Sequence, residues 1–115
     1  MGISTHILDT SLGRPAVNIP VSLLEFRDSA TGGGWHEIAS ARTDQDGRCK
    51  TLLADHRLAA TDYRLDFNVG AYFRDLHTDS IYPHIQIVFR VGDPSQHYHI
   101  PLLLTANGYT TYRGS

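Results

Sequence analysis

The chain has 115 residues, 41% of them hydrophobic and 19% charged, with a formal net charge of −2. That length suits one domain over residues 1–115, with a core that buries roughly two-thirds of the unfolded surface; the nearly balanced charge implies no general affinity for nucleic acid or membrane. The single cysteine excludes an internal disulfide framework, and the first six residues carry no apolar run long enough for a signal peptide or membrane span, so a cytoplasmic protein is expected.

Residues 3–9 alternate as a strand does, with Ile3, Thr5 and Ile7 on one side and Ser4, His6 and Leu8 on the other. Gly13 and Pro15 mark a turn. Val17, Ile19, Val21 and Leu23 form a second stripe over about 17–26, with Pro20 at its start or at an irregularity, because proline withholds a ladder donor. Residues 28–34 end in three consecutive glycines and form a loop. Residues 35–43 read as a third strand. Asp44-Gln45-Asp46-Gly47 is a tight turn in which Gly47 supplies a positive φ, and Arg48 opens a short strand to about residue 53. Tyr63, Leu65, Phe67 and Val69 alternate over 61–69. Residues 70–77 lose the period of two, and Tyr72, Phe73 and Leu76 fall on one face of a short helix, the only helix expected. Ile85, Ile87 and Phe89 begin another strand after the Tyr82-Pro83 turn, and residues 96–104 and 109–114 are the last two. Seven or eight short strands at regular spacing, broken by Gly/Pro turns, argue for an all-β sandwich or a small barrel.

The stretch from His97 onward is the most unusual. In a strand, residues i and i+2 share a side, so Tyr98, Ile100, Leu102 and Leu104 read as core while His97, His99, Pro101 and Leu103 share the other face. The His6–Leu8 face of the first strand has the same mixed character. Apolar side chains beside imidazoles on an outward face suggest an interface with a site in it. Three readings of His97 and His99 are open: solvated or hydrogen-bonded surface histidines, a His-x-His metal site with His6 as third ligand, or acid–base work near the imidazole pKa of about 6.5. The Asp44–Gly47 turn fails as a calcium loop, with Arg48, Cys49 and Asp55 where oxygen ligands, glycine and glutamate belong. Arg48 is either a solvated strand residue or a guanidinium aimed at a carbonyl-rich ligand. No Gly-x-Ser-x-Gly elbow and no phosphate loop is present, and Cys49, Tyr63 and Tyr98 read as packing residues.

Ser4-Thr5-His6-Ile7-Leu8-Asp9-Thr10-Ser11-Leu12-Gly13-Arg14-Pro15-Ala16, then Thr43-Asp44-Gln45-Asp46-Gly47-Arg48, then His97-Tyr98-His99-Ile100-Pro101-Leu102-Leu103-Leu104 and the terminal Tyr112-Arg113-Gly114-Ser115 resemble the start, middle and end motifs of 5-hydroxyisourate hydrolases, the transthyretin-related enzymes. The resemblance runs over essentially the whole chain. It implies a transthyretin-like two-sheet β-sandwich with one short helix, assembled as a homotetramer, a dimer of dimers, with sites in a channel where dimers meet. It implies hydrolytic opening of 5-hydroxyisourate in urate degradation, with no cofactor and no metal. By motif match, His6, Arg48, His99 and Tyr112 are the catalytic residues, and His6, Arg48, His97, Tyr112, Arg113, Gly114 and Ser115 border the substrate. On the last strand Arg113 points away from the side shared by Tyr112 and Gly114, so either the strand ends there or Arg113 is structural. The alternative on the same fold is a transthyretin-like carrier of a small molecule such as thyroid hormone; a purely structural sandwich module leaves the terminal motif without a role.

Overall fold

Residues 2–50, 52 and 57–115 are described by the computed structural model. Among the described residues nine strands and one helix follow in order: β1 Gly2–Asp9, β2 Arg14–Pro15, β3 Pro20–Arg27, β4 Gly34–Arg42, β5 Arg48–Cys49, β6 Asp62–Phe67, α1 Val69–Asp75, β7 Ile85–Arg90, β8 His97–Thr105 and β9 Gly108–Thr111. One sheet runs β2-β1-β8-β9, with β5 also pairing β1; the other runs β4-β3-β6-β7. Ile3, Ile7, Tyr98, Ile100, Leu102 and Leu104 from the first sheet and Val21, Leu23, Tyr63, Leu65, Phe67 and Ile85 from the second pack into one buried cluster. No helix among the described residues is long and apolar enough to cross a membrane.

The direction of each strand's faces follows from that core. Ile3 and Ile7 are buried, while Ser4, His6 and Leu8 on the alternate side are half-buried. Slipping β1 by one residue would turn both isoleucines outward, at roughly 1.5–3 kcal/mol for each side chain, and would push His6 inward. Burial of the apolar set therefore points His6 out. The same logic orients β8, where Tyr98, Ile100, Leu102 and Leu104 are buried and His97 is exposed.

Several expected elements are shorter than the alternation suggested. The second strand begins at Pro20, not near 17, because Asn18 sits at φ 65 and breaks the extended run. The strand expected over 61–69 stops at Phe67: Asn68 caps α1, accepting from the Ala71 amide at 3.3 Å, and Val69 enters the helix. The buried helical stripe is Val69 and Phe73, one turn apart, rather than Tyr72, Phe73 and Leu76. β5 covers only Arg48–Cys49 and Lys50 is already in a bend; Thr51 and Leu53, to which that strand was expected to run, lie outside the described residues, as does Asp55. β9 stops at Thr111, and Gly114 rejoins the sheet as a single bridge to His99.

The pairing that matters most for function is β1 with β8, the one parallel pair among the described strands. It sets Ser4 opposite His99 and His6 opposite Pro101. Thr5 tightens the seam by donating its hydroxyl to the Ile100 carbonyl at 2.6 Å.

Candidate active site

Paired residues in a sheet point to the same side. The registers His6↔Arg48, Ser4↔His99, Gly2↔His97, His6↔Pro101 and His99↔Gly114 therefore place Arg48, His6, Ser4, His99, His97 and Gly114 on the outer face of one sheet. Residues separated by more than 90 positions in the chain meet there through the parallel β1–β8 seam.

Arg48 is delivered by the turn before it. Gly47 donates its amide to the Asp44 carbonyl at 2.9 Å, and Asp44 Oδ1 accepts from the Asp46 and Arg48 amides at 2.9 and 3.0 Å. The Arg48 amide is the leading reason the Asp44 carboxyl lies below the usual carboxylate range. The turn also sits directly on β1, because Ile7 donates its amide to the Gly47 carbonyl at 2.7 Å. Gly47 has φ +75, and a Cβ there would come within 2.4 Å of the Ile7 carbonyl oxygen. Only glycine holds the turn tight enough to bring Arg48 beside His6.

His99 is half-buried, and its imidazole is held below the ordinary value of 6.5, first by burial and then by the positive charges of Arg48, His6 and His97. At neutral pH it is an uncharged base next to a permanent cation. Its Nδ1 lies 2.8 Å from Ser4 Oγ, which also lies 2.7 Å from His97 Nε2. Ser4 had no place in the sequence-derived site. Its alternation with His6 put it on the right face, but only the register with β8 shows that it stands between two imidazoles.

The C-terminal residues close one side. Gly114 donates its amide to the His99 carbonyl at 2.8 Å. A Cβ on Gly114 would fall 2.6 Å from His99 Cδ2 and 3.3 Å from Pro101 Cγ. Gly114 therefore packs flat against the imidazole edge. Gly114→Ala is expected to cost about 1–3 kcal/mol through overpacking and to lower turnover at least about tenfold by displacing the His99 ring; unaltered kinetics in a folded Gly114→Ala protein would contradict this contact.

Arg113 does not join the imidazoles. Its Nη2 donates to Gln96 Oε1 at 2.8 Å and to the His97 carbonyl at 3.3 Å, and its guanidinium lies 4.4 Å from the centre of the Tyr98 ring. Both earlier alternatives hold at once: the strand has ended, and Arg113 ties the terminus to β8. Tyr112, just past the end of β9, is 55% exposed, and Ser115 is exposed beyond Gly114. The apolar character expected of this face is also smaller than the alternation implied. Pro101 is buried within the chain, partly under Gly114, which leaves Leu8 and Leu103 half-buried.

Among the described residues no three His, Cys, Asp or Glu side chains are grouped to hold a metal ion; the Ser4 hydroxyl occupies the space between His97 and His99. Cys49, on the inner side of β5, is buried and its thiol is pushed up to about 11, mainly by burial, so it is a packing group at neutral pH. A cavity of about 420 Å³ between α1 and the β2 region, lined by Arg14, Val17, Arg42 and Tyr72 among others, contains none of these groups.

A two-sheet sandwich of this topology, with imidazoles and a guanidinium on one outer sheet face, defines a transthyretin-type protein carrying a polar site. The chain belongs to the HIUase/Transthyretin family, whose profile matches residues 3–114. It is 42% identical over 113 residues to a 5-hydroxyisourate hydrolase of Salmonella dublin, covering 98% of this chain and 80% of that protein. It is 37% identical over 113 residues to the 5-hydroxyisourate hydrolase of Mus musculus, covering 98% and 94%. Among solved structures, Klebsiella pneumoniae 5-hydroxyisourate hydrolase matches with a TM-score of 0.81 at 37% identity, covering 98% of both chains. Sea bream transthyretin in complex with thyroxine matches with a TM-score of 0.86 at 29% identity, covering 97% and 93%. The transthyretin-like sandwich expected from the resemblance is the observed fold.

Proposed function

We propose that this protein hydrolyses 5-hydroxyisourate to 2-oxo-4-hydroxy-4-carboxy-5-ureidoimidazoline, a step in urate degradation, by direct attack of water. One observation carries the reading: a half-buried, neutral His99 beside the Arg48 guanidinium. His99 takes a proton from water, and the hydroxide adds to the ring carbonyl next to the nitrogen that leaves. Arg48 and His6, opposite each other across β5 and β1, face the carbonyl oxygen as charge develops on it. The leaving nitrogen is protonated by an imidazole of the same face. Tyr112, Gly114 and Ser115 border the substrate, with His97 behind His99.

The fold alone does not separate this reading from a hormone carrier, since sea bream transthyretin superposes as closely. A carrier's channel is chemically inert, and this face presents His6, Arg48 and His99. The test is turnover with far less protein than substrate. A hydrolase consumes many equivalents of freshly made 5-hydroxyisourate per site; a carrier binds at most stoichiometrically and leaves the spontaneous decay unchanged.

The reaction needs no metal in this scheme, because a neutral imidazole generates the nucleophile. Activity is expected to survive exhaustive chelation unchanged, as followed by initial rates. Loss on chelation that added Zn²⁺ restores would instead support a His6–His97–His99 metal site. The assembly we propose is a homotetramer, a dimer of dimers, with Leu8 and Leu103 covered where dimers meet and the imidazoles lining a water-filled channel left between them. Light scattering is expected to give the tetramer mass, and a monomer at micromolar concentration would refute that interface.

A further inference from the structure

Ser4 is placed to do more than fill space between two histidines. Its single hydroxyl proton can be donated to only one imidazole, so it accepts an N–H from the other. Two proton arrangements follow from the 2.7 and 2.8 Å contacts. In the first, His99 Nδ1–H donates to Ser4 Oγ and the Ser4 hydroxyl donates to His97 Nε2, leaving His99 Nε2 with a free lone pair. In the second, His97 Nε2–H donates to Ser4 Oγ and the hydroxyl donates to His99 Nδ1, leaving His99 Nε2 protonated. Among the described residues no buried side-chain nitrogen or oxygen lacks a hydrogen-bond partner. His99 Nε2 forms no hydrogen bond to those residues, so it opens onto the accessible side of the face. At the other end of the chain His97 is exposed.

We propose that Ser4 is a positioning residue that couples half-buried His99 to exposed His97 as a proton relay, so that one imidazole serves as base and then as acid. The reaction it serves is the hydrolysis proposed above. In the first arrangement His99 Nε2 removes the proton of the attacking water as the new C–O bond forms. The resulting imidazolium passes its Nδ1 proton to Ser4 Oγ, the Ser4 proton moves to His97 Nε2, and His97 releases its Nδ1 proton to solvent. His99 is then neutral with the proton on Nε2, which is the second arrangement. A solvent proton then enters at His97 Nδ1, and the relay runs in reverse so that His99 Nδ1 is protonated again. As the C–N bond breaks, the Nε2–H of that imidazolium passes to the leaving nitrogen, which restores the first arrangement. Net, water adds OH to carbon and H to nitrogen, and the proton lent to solvent is returned.

The relay also gives His97 a role. It is the end of the chain in contact with water rather than a ligand or a second base. The charged and titratable groups facing His99 are Arg48 from β5, His6 from β1 and His97 from its own strand. The Arg48 guanidinium, the permanent cation among them, disfavours a stored imidazolium at His99 and so favours moving the proton outward through Ser4.

The test compares wild type, Ser4→Ala and Ser4→Thr by kcat, KM and pH–rate profile, and reads the His99 ring by ¹⁵N NMR in the substrate-free protein. Ser4→Ala is expected to lower kcat roughly 10- to 100-fold, less than loss of the base itself, with KM changed by no more than about twofold and the acid limb displaced. Ser4→Thr, which keeps the hydroxyl on a strand-compatible side chain, is expected to recover most of the rate. The wild-type His99 ring is expected as the Nδ1–H tautomer above its pKa, becoming a mixture in Ser4→Ala. Wild-type kcat and pH profile in Ser4→Ala, equal losses in Ser4→Ala and Ser4→Thr, or an unchanged tautomer would each overturn the relay. A trapped acyl-Ser4 adduct would overturn it in favour of a nucleophilic serine. Failure of the wild-type protein to turn over 5-hydroxyisourate would remove the hydrolase reading, and the tautomer measurement would still decide the Ser4 coupling.

Discussion

Replacing His99 with alanine is expected to lower kcat roughly 10²–10⁴-fold, the usual worth of a positioned general base, with the fold intact. The side chain lies on the outer face of β8, so its removal opens no core cavity; Tyr98 and Ile100, which do face the core, are untouched. The pH dependence has a definite sign. Burial, then Arg48, His6 and His97, hold the His99 pKa below 6.5, so the active neutral form persists through neutral pH, and the rate falls only as the pH drops beneath the ordinary imidazole range. An acid limb centred above 6.5 would contradict the site's electrostatics. His6→Ala is expected to lose a similar factor through the oxyanion rather than the base and, because His6 helps hold the His99 pKa down, to move the limb slightly upward toward 6.5.

Removing residues 112–115 is expected to abolish measurable turnover while lowering the melting temperature by about 10–20 °C and leaving the protein folded at about 25 °C. The segment contributes the Gly114 amide to the His99 carbonyl and the Arg113 hydrogen bonds to Gln96 and the His97 carbonyl. Each is worth about 1 kcal/mol net, so losing the three together lowers the midpoint of a domain this small by about 10–20 °C. The effect on the site is much larger. Without Gly114 the His99 ring loses the surface that holds its edge and Pro101 loses its cover, so the base is free to leave the geometry that catalysis requires. Kinetics and thermal unfolding of the truncated protein separate the two effects. Full activity would mean that the terminal motif lies outside the site, and wholesale unfolding would mean that it is principally structural.

The sequence made the faces legible but not the neighbours. Period-two alternation assigned Ile3, Ile7, Tyr98 and Leu102 to the core and His6, His97 and His99 to the other side, because burial of apolar side chains decides which way a strand faces. It located the Gly47 turn, because a positive φ there has few alternatives to glycine. It did not supply the partner of any strand. The parallel β1–β8 register joins segments more than 90 residues apart, and no local pattern encodes that pairing or the place of Ser4 between two imidazoles. Alternation also overran its ends. Val69 continues the stripe of β6 in sequence, but Asn68 starts a helix beneath it. Alternation places Pro101 on the outward face, but nothing in its own strand reveals that Gly114 lies over it. The proposed functional roles come from resemblance to a family, and the half-burial of His99 near Arg48 supports the one proposed for His99.

The most direct measurement follows the ultraviolet signal of freshly generated 5-hydroxyisourate in parallel cuvettes containing no protein, the wild-type protein and His99→Ala. Rapid loss of signal is expected with catalytic amounts of wild type, and decay at least about a hundredfold slower with His99→Ala after the spontaneous rate is subtracted. Decay at the spontaneous rate with wild type, or equal acceleration by both proteins, would contradict it.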